Sequence, residues 1–205
     1  MIEFFIDSYE ETPTFYIILE AIAFVFGIMS VWYAKKENIL VYPIGLIATV
    51  ITVYLLYVVG YFGDMIINLY YSILSIYGWY KWSQPTDNNK LLQISRTTLK
   101  EKFVGVGLFF LTIVVIFVIY KIFAYDIKPE NYIDMLTSGI FFTAMWYMAL
   151  KKIENWTLWI IADLISIPLY AYRGLGMLSL QFLIFTILAV MAYIQWRRKL
   201  QIQST

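Results

Sequence analysis

Near the middle of a long apolar run stands one aspartate, Asp163, and helical spacing puts Trp156, Trp159, Ser166 and Tyr170 on the same side of that run. A second stripe follows the same spacing in an earlier run: Asp64, Asn68, Tyr71, Ser75 and Trp82, with Tyr77-Gly78-Trp79 beside it. Gln181 lies at a similar depth in the last run. A carboxylate accepts hydrogen bonds or neutralises a cation, and indole and phenol faces hold flat or cationic rings. The chain has no Cys and no His, which excludes thiolate nucleophiles, imidazole bases, disulfides, haem ligands and the usual zinc sites. The other carboxylates and the lysines are scattered singly rather than clustered, so the residues point to binding rather than catalysis, with no cofactor and no metal.

A charge at mid-bilayer costs roughly 2.5–3.5 kcal/mol on insertion scales, so it is usually functional or paired inside a bundle. The expected binding set is Asn68, Tyr71, Trp159, Asp163, Ser166, Tyr170 and Gln181. Pro168 removes a helical hydrogen bond and frees a carbonyl to bend the chain or meet a ligand. Plainer readings exist for each of these residues. Asp163 could be a structural carboxylate satisfied by neighbouring helices, and Asn68 and Gln181 could bridge helices. Asp64 and Asp134 read as helix-start residues near water. Trp32, Tyr33, Trp79, Trp82, Trp146, Tyr147 and Trp196 all fall at one end of their runs, as interfacial belt residues do.

The elements that must carry these residues follow from composition. Of 205 residues 61% are hydrophobic and 14% charged, so lipid is the expected solvent and no nucleic-acid surface stands out. A hydrocarbon core about 30 Å thick needs roughly 20 helical residues. Runs near 15–34, 39–59, 62–82, 103–122, 132–150, 156–172 and 177–196 meet that length, and no ten-residue alternation suggests a barrel. The expectation is an all-α integral membrane protein with seven transmembrane helices in one membrane domain, 1–205. The acidic 1–14 segment argues against a cleaved signal peptide, so the first span should remain as an anchor. With the N-terminus outside, twelve of the fifteen basic residues fall in the cytoplasm, and only Lys121, Lys128 and Arg173 fall outside. The polar linker 83–102 is then cytoplasmic.

An internal echo accompanies this pattern. Lys35-Lys36-Glu37-Asn38 recurs as Lys152-Ile153-Glu154-Asn155, 117 residues on, and the same offset carries Trp79 onto Trp196. Trp32-Tyr33 and Trp146-Tyr147 match at nearly that spacing. Two parallel three-helix repeats, 15–82 and 132–196, joined by a connecting helix, 103–122, would produce it.

Two motifs carry a family resemblance. Ile76-Tyr77-Gly78-Trp79-Tyr80-Lys81-Trp82 closes the third run, and Glu154-Asn155-Trp156-Thr157-Leu158-Trp159 leads into Asp163-Leu164-Ile165-Ser166. Both resemble the PnuC family of bacterial vitamin transporters, and the likeness extends from the first span to Trp196. It implies a 3+1+3 arrangement like a full-length SWEET fold, and uptake of nicotinamide riboside, with relatives that move thiamine, riboflavin or deoxynucleosides. It also implies facilitated diffusion (uniport) in the bacterial inner membrane, with trapping by a cytoplasmic vitamin kinase; self-association is left open. Asn68 falls where many members have Gln or Asn, Trp159 matches a family tryptophan, and Asp163 stands where nicotinamide riboside carriers often have Asn. Since that vitamin and thiamine are both permanent cations, an anionic partner suits either. Thiamine is the alternative substrate, and a non-transporting scaffold or receptor is the alternative of another class.

The topology has a direct check. Reporter fusions to the two ends of this cysteine-free chain should place Met1 outside and Thr205 inside, and finding both on one side would overturn the seven-span arrangement.

Overall fold

The computed structural model describes residues 12–59, 62–85, 91–123, 127–173 and 176–203; both chain ends, residues 86–90 of the linker and the Asp64 side chain lie outside them. Seven helices run through the described residues: α1 (Thr14–Lys35), α2 (Val41–Val59), α3 (Phe62–Ser83), α4 (Leu99–Phe123), α5 (Pro129–Ala149), α6 (Glu154–Tyr172) and α7 (Gly176–Gln203). The apolar runs locate all seven, and α7 continues seven residues past the run that predicts it, carrying its basic end with it. By length and hydropathy, four of the described helices, α1, α2, α4 and α7, are long and apolar enough to cross a membrane. Of the remaining three, α3 and α6 carry the two polar stripes.

Local chemistry sets the helix starts. Asn38 accepts from the Leu40 N–H at 2.9 Å just before α2. Thr98 and Glu101 form a reciprocal box at the start of α4, with Thr98 N–H donating to Glu101 and Glu101 N–H donating back to the Thr98 hydroxyl. Pro129 opens α5, where a missing N–H costs nothing, and the Asn131 side chain takes the Lys128 N–H at 2.8 Å.

Helix neighbours close a ring. α1 packs on α2 and α2 on α3; α5 packs on α6 and α6 on α7; α3 meets α5 and α7 meets α1. The fourth helix stands outside this ring of six, against α5 and, less closely, α3. Large apolar side chains such as Phe103, Phe110, Leu164 and Leu183 face outward, while Asn155, Asp163, Ser166, Thr143 and Ser75 are buried. Polar groups inside and apolar groups outside is the arrangement hydrocarbon demands, because lipid cannot satisfy a hydrogen-bonding group.

The turns after α1 and α5 are bonded alike. Glu37 and Lys151 both take left-handed backbone angles, φ 56° and 50°. Around them, Asn38 N–H donates to Tyr33 at 3.0 Å and Lys152 N–H to Tyr147 at 2.9 Å. Tyr42 N–H donates to Ile39 and Trp156 N–H to Ile153, both at 3.2 Å. Every member of these pairs is 114 residues from its counterpart, the spacing of Trp32-Tyr33 to Trp146-Tyr147. The 117-residue echo of Lys35–Asn38 is therefore not the register that the backbone keeps, and Trp82, not Trp79, is the counterpart of Trp196.

At one point the packing leaves no room for a side chain. A Cβ on Gly78 would fall on the Tyr42 ring, which is 1% exposed and cannot swing aside. Gly78→Ala should therefore cost about 1–3 kcal/mol through overpacking, read as a lower melting temperature in detergent, whereas the same change at Gly107, which meets nothing within 4 Å, should not.

Candidate functional site

Asp163 is the central residue of α6, fully buried, and neither of its carboxylate oxygens has a hydrogen-bond partner among the described residues. It borders a cavity of about 160 Å³, room for on the order of ten waters. All six ring helices contribute to the wall: Gly27, Ser30, Val31 and Ala34 from α1; Val41, Tyr42, Gly45, Ala48 and Thr49 from α2; Tyr71 and Ser75 from α3; Met145 and Met148 from α5; Trp156, Trp159 and Asp163 from α6; Phe185 and Ala189 from α7. No residue of α4 lines it.

Of the expected binding set, Tyr71, Trp159 and Asp163 line this cavity together. Ser166, one helical turn on, is buried with no partner for its hydroxyl among the described residues, but it is not part of the wall. Gln181 is not on the wall either, but its amide nitrogen lies close to Gly27, which is. Asn68 is also off the wall; its carbonyl accepts from Ser72, whose hydroxyl reaches Thr49 at 2.8 Å. Tyr170 joins an aromatic row instead: it stacks on Phe182 at 5.1 Å, Phe182 on Phe141 at 5.8 Å, and Phe141 meets Trp159 at 5.2 Å.

The residue spacing left Tyr42 unflagged and Trp156 outside the chosen set. Both line the cavity, both are buried, and the Tyr42 hydroxyl and the Trp156 and Trp159 indole N–H groups have no partner among the described residues. An indole N–H can only donate and a carboxylate only accept, so the site presents complementary needs to a ligand. Burying such groups unpaired carries a cost, so their persistence together marks a place where something else supplies the bonds.

Beyond Trp156, the end of the ring that carries Lys35 and Lys151 is filled by packed aromatic side chains. Tyr42 meets Trp82 edge-on at 5.1 Å, Trp82 meets Trp196 at 6.3 Å, and Trp196 meets Trp156 edge-on at 5.4 Å. Trp82 and Trp196 thus do not act as interfacial anchors. Each is buried and donates its indole N–H to a helix-end carbonyl of the neighbouring helix, Trp82 to Met148 at 3.3 Å and Trp196 to Lys35 at 3.2 Å. Tyr147, also read as a belt residue, is buried against α4 and donates to the Glu101 carbonyl. Trp32 and Trp79, by contrast, are exposed.

A strap from the linker crosses beneath this plug. Ser95 N–H donates to Lys151 and Ile153 N–H to Ser95, both near 3 Å, and buried Ile94 packs among the tryptophans. Lys152 pairs with Glu101 at 2.9 Å. Partial burial pushes the Glu101 carboxyl up, but the Thr98 N–H and Lys152 outweigh it and hold it below the ordinary carboxylate range. Burial lowers the neighbouring Lys151 ammonium, and Glu37 pulls only part of that back. At the opposite end, Arg173 grips Asp134 with two bonds, one of 3.1 Å, and Tyr120 donates to the same carboxylate at 3.2 Å. Asp134 is thus an ion-paired residue joining three helices rather than a solvated helix start.

Residues 17–198 match the family model described as nicotinamide mononucleotide transporter. The chain belongs to that family. It is 26% identical over 201 residues to the nicotinamide riboside transporter PnuC of Escherichia coli (strain K12), covering 87% of this chain and 84% of that protein, and equally similar to the Shigella flexneri protein of the same name. It is also similar to the riboflavin/roseoflavin transporter RibM of Streptomyces davaonensis, 23% identical over 128 residues, covering 60% of this chain and 58% of RibM. Among solved structures, the crystal structure of the vitamin B3 transporter PnuC superposes with a TM-score of 0.69 at 22% identity, over 88% of this chain and 80% of that one. That likeness shows the fold. The relatives are transporters, not enzymes.

Proposed function

We propose that this protein carries a cationic, aromatic, water-soluble vitamin across the bacterial inner membrane, with nicotinamide riboside as its first substrate and thiamine as its second. The observation that carries this reading is Asp163: a fully buried carboxylate with no partner for either oxygen among the described residues, beside Trp159, on a cavity that all six ring helices enclose. A pyridinium or thiazolium supplies the missing charge, and the Trp159 and Tyr71 rings supply the faces against which it lies. Ser166, Tyr170, Asn68 and Gln181, which are not part of this wall, complete the binding set as the cavity opens.

The six ring helices act as two parallel triplets, α1–α3 and α5–α7, tied by α4, and the path runs between them with the N-terminus outside and the C-terminus in the cytoplasm. The matched turns at Glu37 and Lys151 support that division. Transport is uniport. An inside-negative potential gives a monovalent cation about 2.3 kcal/mol per 100 mV, nearly fifty-fold accumulation at equilibrium, so no pump is needed. A cytoplasmic vitamin kinase then traps the product, because a phosphate brings negative charge to a site that already holds a carboxylate.

Binding separates this from the structural alternative. Asp163→Ala and Trp159→Ala should each weaken nicotinamide riboside binding by at least tenfold, about 1.4 kcal/mol. Asp163→Asn, which removes an unpaired buried charge, should hold or raise the melting temperature. A carboxylate with a purely structural role would give the reverse, lost stability with affinity intact.

Uptake into liposomes tests the driving force. An imposed inside-negative potential should raise the plateau of accumulated vitamin, and a proton or sodium gradient at zero potential should leave it unchanged. Accumulation driven by either ion gradient alone would refute uniport.

A further inference from the structure

We propose that Glu37 is the latch of the cytoplasmic gate, holding the two triplets together beneath the binding cavity through Lys151 and Lys199. The proposal rests on the transporter reading above, and it adds a residue that binds no substrate but sets how readily the cavity opens inward.

Among the described residues, the ion pairs that cross from one triplet to the other both belong to Glu37. Its carboxylate receives Lys199 Nζ, at the end of α7, at 2.6 Å and Lys151 Nζ, in the turn between α5 and α6, at 3.6 Å. The other two ion pairs, Lys152–Glu101 and Arg173–Asp134, stay within α4–α7. Lys151 also lies 4.3 Å above the Trp82 ring, so one ammonium links the first triplet's carboxylate to the aromatic plug. The Lys151 and Glu37 side chains are only 9% and 17% exposed, which sets this pair apart from exposed ion pairs of small worth. Parting the ends would leave Lys151 half-buried without its counter-charge, and a charge orphaned in that way is costly.

The backbone fixes the carboxylate in place. Glu37 holds φ 56°, its N–H bonded to the Ala34 carbonyl at 3.0 Å, and the equivalent Lys151 holds φ 50° with its N–H on Met148 at 2.9 Å. Both charges therefore sit on tight turns at the inner ends of the ring, where any rocking that opens the cavity inward separates them. The strap at Ser95 is hydrogen-bonded to Lys151 and Ile153 and so travels with the second triplet.

Cysteine accessibility tests the latch without any substrate. Ala189 lines the cavity, and Trp196 lies seven residues further along α7, about 10 Å toward the inner end. Ala189→Cys is introduced into the full chain, which has no other cysteine, and labelled with a membrane-impermeant maleimide in inside-out vesicles. Glu37→Gln should raise the labelling rate about tenfold. Lys151→Met, which keeps the stem over Trp82, should also raise it, and Glu37→Lys with Lys151→Glu should return it toward the parent rate. Parent-like labelling in both single variants, in protein that remains monodisperse, would overturn the proposal, as would fast labelling in the reversed pair equal to that of Glu37→Lys alone. If the variants respond as expected but no vitamin binds, the latch stands and the substrate reading falls.

Discussion

A carboxylate with no donor and no counter-charge at the centre of a helix constrains everything packed around it. Asp163 is in that position, with both oxygens unpartnered among the described residues. Hydrocarbon cannot hold such a group, so α6 must turn it toward other helices, and those helices must leave room for whatever completes it. The cavity satisfies that demand by drawing wall residues from each ring helix. Packing tightly against Asp163 with apolar side chains would make the helices more stable and the site useless, which is the usual conflict between stability and function.

Aromatic layers lie on either side of this centre. At the end of the ring that carries Lys35 and Lys151, Trp82, Trp156, Trp196 and Tyr42 meet largely edge to face, with two of the three indoles bonded to helix-end carbonyls. On the other side, Phe141, Phe182 and Tyr170 lie nearly parallel. Edge-to-face contacts with indole hydrogen bonds fix a geometry, whereas stacked rings slide at little cost. The tryptophan layer is thus the more firmly specified of the two, and its indole hydrogen bonds run from α3 to α5 and from α7 to α1.

Much of this was legible from residue types alone, for reasons of length and charge. An apolar run long enough to span hydrocarbon announces a helix, and a lone Asp within it announces a site, so α1–α7 and the Asp163–Trp159 face are readable without coordinates. Rotational phase is harder. Trp79 and Trp82 are three residues apart near one helix end, yet one is exposed and the other buried, because the ring, not the belt, decides which face turns inward. Tyr42 carries no charge and sits among apolar neighbours, so nothing in its surroundings marks it. The internal echo misled for a related reason: the backbone repeats a left-handed turn, which constrains angles rather than identities. Lys35–Asn38 happened to look like Lys152–Asn155, whereas the bonded counterparts, Glu37 and Lys151, carry opposite charges.

That opposition of charge is what two identical turns could not achieve. With a glutamate in both, two carboxylates would face each other and repel. Positions 114 residues apart differ at the site as well. Counting 114 residues back from Trp159 and Asp163 gives Gly45 and Thr49, and all four residues line the cavity. Thr49 is satisfied by Ser72, while Asp163 has no such partner among the described residues. Gly45 presents no side chain where its counterpart at that spacing is the bulk of Trp159. Aromatic faces therefore come from both sides of the wall, Tyr42 and Tyr71 from α2 and α3 and Trp156 and Trp159 from α6, whereas the carboxylate comes from α6 alone. A wall that bears its charge on one side only distinguishes the two orientations of any ligand that is itself lopsided, charged at one end and neutral at the other.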